Sequence, residues 1–265
     1  MWRERRGVDD LSPEQNRRAL AAYYGLVTEL DRNLGRVRET LATSSSAVNT
    51  LLAYTSDHGD MAHQHGMWWK SNFYDGSAKI PLIFSHPVHF LQNETVSANV
   101  SLIDVGPTML DLAGADPLPD VSGKSFAPFL KGENTLHWPN EVFVEYGGLL
   151  GDHPACMIRT GPWKLNYYSE FDSCQFFNID EDPHERKDMA TDPKCQDIIR
   201  DGLAKIKARW SAYEMRENID KQERARKLLQ SCGHPLAPHV PPHFQTPEGS
   251  NAFDFSQLPE KPSPL

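Results

Sequence analysis

No stretch of the chain approaches the roughly 18 consecutive apolar residues that a membrane-spanning helix needs, so no such helix is expected. The opening Met1-Trp2-Arg3-Glu4-Arg5-Arg6 lacks the apolar core of a secretory signal, and a cytoplasmic location is the expectation. Positive charge is also short. With 27 Lys and Arg against 36 Asp and Glu, the formal net charge is −9, which argues against a general nucleic-acid binder, because phosphate backbones demand clustered cations. The two basic knots, Arg3 to Arg6 and Arg224 to Lys227, are short and read as solvated surface. The four cysteines, Cys156, Cys174, Cys195 and Cys232, form no C-x-x-C pair. That excludes a zinc ribbon and a dense disulfide framework and fits a reducing compartment. No S-x-x-K, G-x-S-x-G or Walker pattern supplies a ready enzyme assignment.

What is present looks globular: 265 residues, 39% hydrophobic and 24% charged, are enough for one large domain or two smaller ones. Ser12-Pro13-Glu14-Gln15 has the form of a capping box with proline in the first turn. Leu20, Tyr23, Val27, Leu30, Leu34, Val37 and Leu41 follow at spacings of three and four, which predicts a long amphipathic helix ended by Thr43 to Ser46. Thr50 to Tyr54 reads as a short buried strand, Ile80 to Phe84 as another, and Ser101 to Leu112 as a helix stopped by Gly114. Alternating strands and helices favour an α/β layer architecture.

Beyond Glu141 the rhythm changes. Val142-Phe143-Val144, Met157-Ile158-Arg159, Trp163-Lys164-Leu165 and Gln175-Phe176-Phe177 are short strand candidates between turn residues, predicting a small antiparallel sheet. Asp192-Pro193 opens a helix with Ile199, Leu203, Ile206, Trp210 and Tyr213 on one face. From about Gln230 eight prolines exclude regular structure.

The densest chemistry lies in Asp57-His58-Gly59-Asp60-Met61-Ala62-His63-Gln64-His65-Gly66-Met67-Trp68-Trp69-Lys70, directly after the first strand. In open α/β sheets, ligands bind at strand C-terminal ends. A carboxylate and an imidazole there can share one divalent cation, with a lysine neutralising an anionic substrate. On residue types alone, a hydrated surface loop fits the segment as well.

Thr55 to Asp60, His65 to Lys70 and Ile80 to Ile83 together resemble the second metal-ligand segment of sulfatases, in the alkaline phosphatase superfamily. Tyr23 to Gly35 resembles the helix before it and Val100 to Gly114 the helix after it. Arg159 to Leu165 and Phe176 to Met189 resemble the family's small C-terminal sheet, so the likeness runs over roughly residues 13 to 216. The resemblance implies the C-terminal part of an alkaline-phosphatase-like α/β sandwich, plus a small antiparallel C-terminal sheet with a packed helix. It makes Asp57 a metal ligand, His58 its partner at the metal and in catalysis, and Lys70 the catalytic cation on the bridging ester oxygen. Calcium is the implied cation, with manganese a rival because an imidazole replaces the commoner oxygen donor. Asp60 and His65 would orient neighbours, while His63 and Gln64 depart from the family's small and acidic residues. Trp68, Trp69, Phe73 and Tyr74 read as packing beside the site, with faces on which a quaternary ammonium group would also rest.

The implied substrate is a small sulfate ester, with phosphate or phosphonate esters as rivals and a choline-sulfatase-like branch as the nearest in pattern. No nucleic-acid or membrane partner is expected, and the complete protein is expected to be a homo-oligomer. The family's formylglycine, made from C/S-x-P/A-x-R, has no counterpart, and no such motif occurs in the chain. A C-terminal fragment, inactive alone, is therefore expected. Its domains are residues 1–135 from the catalytic α/β domain, 136–216 as a small α+β subdomain, and 217–265 as an extended Pro-rich tail.

Overall fold

The computed structural model describes residues 11–147 and 154–231. They fall into two units divided between Arg216 and Glu217. The first unit opens with helix α1 (Pro13–Ala42), whose Ser12 cap accepts from the Gln15 amide while the Gln15 side chain returns to the Ser12 amide. This is the reciprocal capping box the sequence encodes. The apolar stripe of α1 is present but not covered: no residue of the helix is buried, and Val27, Leu30 and Val37 are exposed.

Strand β1 (Leu52–Thr55) pairs with β2 (Leu82–Ser85) in antiparallel register, Leu52 opposite Ser85 and Thr55 opposite Leu82. The expectation of a buried first strand is corrected here. Its side chains alternate between half-buried and exposed, because among the described residues each strand has a single neighbour and remains an edge. Both strands also begin later than the apolar runs do; Pro81 has no amide to give a ladder. Between them lie the site loop and a one-turn helix α2 (Asp75–Ala78). Helix α3 (Leu102–Leu112) starts at a second capping box, Ser101 with Asp104, and ends before Gly114 in the left-handed conformation. Helix α4 (Ala127–Lys131) is a short turn behind it.

Four strands, β3 (Glu141–Tyr146), β4 (Ala155–Thr160), β5 (Trp163–Tyr168) and β6 (Ser173–Asn178), form a sequential antiparallel meander. One face carries Cys156, Ile158, Leu165 and Phe176 and packs on Ile199, Ile206 and Trp210 from helix α5 (Gln196–Arg209) and its end. Contact is close enough that a Cβ on Gly202 would stand 2.8 Å from Leu165 Cδ2. The free thiols Cys156, Cys174 and Cys195 lie in or against this core. Burial pushes the Cys156 thiol up to about 12, which makes it a poor nucleophile. The other face carries Met157, Arg159, Lys164 and Gln175 toward residues 73 to 75.

Two further corrections concern the C-terminal part. Tyr213 is 72% exposed rather than on the packed face, because α5 breaks at Trp210 and a new helix, α6 (Ala212–Ser231), begins. Residues 217 to 231 are thus helical, not extended. They contain no proline or glycine and are rich in Glu, Lys, Arg and Leu, good helix formers, with Glu223 bracing Arg226 at 2.7 Å. The prolines that suggested an extended tail begin at Pro235, outside the described residues. No helix among the described residues is long and apolar enough to cross a membrane.

Candidate active site

Two residues after β1 ends, the backbone presents Asp57 and His58 side by side. The His58 amide donates to Asp57 Oδ1 at 2.9 Å, and Asp57 Oδ2 lies 3.4 Å from His58 Nε2. His58 Nδ1 faces its neighbour's carbonyl, Gly59 O, at 2.9 Å, so Nδ1 carries the proton and Nε2 offers a lone pair. That lone pair is met by Lys70 Nζ. The three residues singled out in the sequence therefore converge on one point.

They do so on an open face. The Asp57 side chain is 82% exposed and that of His58 39%. Partial desolvation works to raise the Asp57 pKa, but the His58 amide and the Lys70 charge hold it below the ordinary carboxylate value. The carboxylate is therefore ionised at neutral pH. Asp57 Oδ2 and His58 Nε2 fit two positions around a divalent cation. Among the described residues no group of three or more metal-ligating side chains is assembled.

The loop from His58 to Ser71 is strained in a concentrated way. Ala62, His63, His65, Trp69 and Ser71 all have positive φ, which non-glycine residues adopt at a cost. Asp60 holds this shape: one oxygen accepts both the Ala62 amide at 2.8 Å and the Trp69 amide at 3.2 Å, joining the two ends of the loop. The Met61 amide adds a bond to Trp69 O at 2.7 Å, and its side chain is fully buried. Asp60 thus orients the loop. His65 does not reach the cluster; its ring stacks on Tyr74 at 4.0 Å. His63 tilts beside Trp68, whose indole N–H donates to Asn16 Oδ1 and ties the loop to α1.

Behind Asp57 and His58 the chain is pressed onto α2. Gly59 donates to Ser77 O at 2.8 Å, and a Cβ at position 59 would collide with the Gly76 carbonyl, so only glycine fits. Sequence reasoning missed this contact and also the cluster of charges behind it, the buried Lys164 and Glu185 with the half-buried Asp75 and Arg159. The available signal was a lysine between Trp163 and Leu165 in a strand whose neighbours are otherwise buried.

Residues 63–228 match the family model for N-sulphoglucosamine sulphohydrolase, C-terminal, and residues 3–115 match the model for sulfatase. The chain belongs to the sulfatase family. That family lies in the alkaline phosphatase superfamily. A choline-sulfatase of Rhizobium meliloti is 34% identical over 193 residues, covering 70% of this chain and 36% of that protein. An arylsulfatase K of Gallus gallus is 34% identical over 189 residues, 68% of this chain and 35% of that one. The sulfatase chain thus spans about a third of the length of these relatives.

Solved structures agree on the fold. A 2-O GAG sulfatase superposes with a TM-score of 0.70 at 28% identity, over 80% of this chain and 46% of that one. A phosphonate monoester hydrolase of Agrobacterium radiobacter gives 0.67 at 26% identity, over 75% and 42%.

Proposed function

We propose that this sulfatase chain contributes the metal-ligand and lysine portion of an active site that hydrolyses small sulfate monoesters. The observation that carries the reading is the convergence of Asp57, His58 and Lys70 at one point after β1. Asp57 Oδ2 and His58 Nε2 would hold a divalent cation, calcium or manganese, which when bound would withdraw charge from the anionic ester. The lone pair that Lys70 engages is the one a cation would take. Lys70 is then left to face the ester, where its ammonium stabilises the negative charge that grows on the bridging oxygen.

Neither Asp57 nor Lys70 can replace an attacking atom. Covalent attack divides a hard displacement into two easier steps, and the chain contains no C/S-x-P/A-x-R motif from which a formylglycine would arise. Its three described cysteines are no substitute, since burial raises the pKa of each. We therefore read the chain as one part of a complete site. A phosphonate or phosphate ester is the second reading, supported by the likeness to a phosphonate monoester hydrolase at nearly the same TM-score as to a sulfatase.

The test is to assay the purified chain on aryl sulfate, choline sulfate and a phenyl phosphonate ester with calcium or manganese, alone and with the N-terminal half of a choline-sulfatase relative in trans. No turnover alone, and sulfate-ester turnover on complementation that Asp57→Ala lowers by orders of magnitude, is expected. Robust metal-dependent turnover by the isolated chain would overturn the reading, and preference for the phosphonate ester would favour the second one.

A further inference from the structure

Lys164 lies on β5, on the face of the sheet turned away from α5, and its side chain has no exposure at all. Its Nζ donates to Asp75 Oδ1 at 2.7 Å and stands 2.7 Å from Glu185 Oε1. Arg159, directly opposite Lys164 in the β4–β5 register, sits 3.7 Å from the second Asp75 oxygen. Lys164 and Glu185 are thus buried, Asp75 and Arg159 half-buried beside them, and the two cations and two carboxylates balance in charge.

For stability alone this is a poor use of an interior, because well-packed apolar groups of the same volume serve as well or better. What ion clusters supply is orientation. Glu185 is held at a positive φ of 52° and reaches with its other oxygen to the Asp75 amide at 2.6 Å. A glutamate in that conformation persists only where its surroundings enforce it. The cluster therefore fixes the start of α2 from both its side chain and its backbone.

From α2 the connection to the site is short. Ser77 O accepts the Gly59 amide, Gly76 leaves no space for anything but glycine at 59, and Gly59 O faces His58 Nδ1. Next to Asp75, the Tyr74 hydroxyl accepts from Gln175 Nε2 at 3.1 Å while its ring carries His65. We propose that Lys164, with Asp75 and Glu185, forms a positioning cluster. It transmits the register of β5 through residues 74 to 78 to the Gly59 backbone, and so sets Asp57 and His58 without touching substrate.

The proposal rests on the reading of Asp57, His58 and Lys70 as the working site, and the test separates the two. Lys164→Met and the charge-balanced pair Lys164→Met with Glu185→Gln are compared in the full chain by thermal unfolding, amide hydrogen exchange and titration with Mn2+. The single variant should unfold at lower temperature, and the pair should recover most of that loss because no buried charge is left uncompensated. In the pair the Gly59 amide should still exchange at least about tenfold faster than in the wild type, while the Ile158 and Leu165 amides keep their protection. Mn2+ binding should weaken at least about fivefold, with Asp57→Ala as the control for site binding. If the pair does not fold, Asp75→Asn makes the same test with an acceleration at Gly59 of about threefold expected. Gly59 protection equal to the wild type in the pair, or in Asp75→Asn, overturns the positioning role. A wild-type chain that binds no Mn2+ defeats the metal-site reading instead, and the Gly59 exchange still decides the cluster.

Discussion

The sheet of β3 to β6 and the loop around Asp57 keep their shapes by different means. Each strand of the sheet has six residues in unbroken register with its neighbour, and the face under α5 is filled by Ile158, Leu165, Phe176 and Ile199. Its conformation is specified by the ladder and by that face, on which Ile199 of α5 is the helix's contribution. Within residues 57 to 74 only Met61 and Phe73 are buried, and five non-glycine residues between 62 and 71 have positive φ. That loop is held by one carboxylate, Asp60, and by what it leans on. The difference teaches where each region's information lies: in the sheet within the element itself, in the loop in contacts with residues about a hundred positions away, such as Glu185 on Asp75.

The sharpest way to test this division is to ask which region carries the chemistry. In a complemented, active enzyme, Asp57→Ala or Lys70→Ala should lower kcat by about 10²- to 10³-fold, since each group acts on charge that develops in the transition state. Their unfolding midpoints should barely move, because both side chains are solvent-exposed. Steady-state kinetics beside thermal denaturation checks both halves of the statement, and a large stability loss at Asp57 would break the comparison.

Next in size is a stability contrast. Phe176→Ala removes a side chain that is 1% exposed and stacked on Trp163 at 5.3 Å, and should cost about 3 to 5 kcal/mol. His65→Ala removes an exposed ring stacked on Tyr74 and should cost no more than about 1 kcal/mol. Urea unfolding of both variants decides the matter; equal losses would mean that the loop is as firmly specified as the sheet.

A smaller effect concerns how α5 is fastened to the sheet. Glu141 on β3 accepts from Lys205 at 2.7 Å and from Arg209 at 2.6 Å, with Thr160 at 3.1 Å. Desolvation alone would raise its pKa, but these donors outweigh it and the carboxyl is held below the ordinary glutamate value. A depressed folded pKa means that the contribution is fully present above the unfolded value of about 4.3 and is lost as pH falls through the folded pKa. Lys205 and Arg209 are 45% and 41% exposed, so solvent screening limits the contribution to about 1 kcal/mol. Glu141→Gln should lower stability by that amount at pH 7 and flatten the acid limb of the pH–stability curve. An unchanged acid limb would assign it to other carboxylates.

How much of this was legible in the sequence follows the same division. The capping box at Ser12, the helix from Ser101 to Leu112, the four short strands and the helix after Pro193 are local signals, and each appears where the residues place it. Residue types alone left the segment from Asp57 to Lys70 open between a cation site and a hydrated loop; the resemblance to sulfatases is what singled out Asp57, His58 and Lys70, which lie together in the structure. What local patterning did not carry was long-range: the antiparallel pairing of β1 with β2, the exposure of the α1 stripe, and the Lys164 cluster depend on partners far along the chain. The helix across 217 to 231 was misread for another reason. Prolines beginning at Pro235 were allowed to speak for residues that contain none.

The smallest expected effect is a gain rather than a loss, and it probes the strained loop itself. His63 has φ 71° and ψ 5°, its side chain is exposed, and its ring makes only a tilted contact with Trp68 at 5.8 Å. Glycine adopts that backbone without the Cβ clash, which relieves about 1 kcal/mol. Against this stand the greater freedom glycine gives the unfolded chain and the lost ring contact, together about half as much. His63→Gly should therefore raise stability by about 0.5 kcal/mol, or about 1 to 2 °C in Tm for a chain of this size. Because Asp60 clamps the Ala62 and Trp69 amides on either side of the substitution, Lys70 should remain at His58 and turnover in the complemented enzyme should stay near wild type. A variant that gains stability but loses turnover would show instead that strain at His63 helps aim Lys70, and would move the loop from a region merely held in place to one whose strain is used.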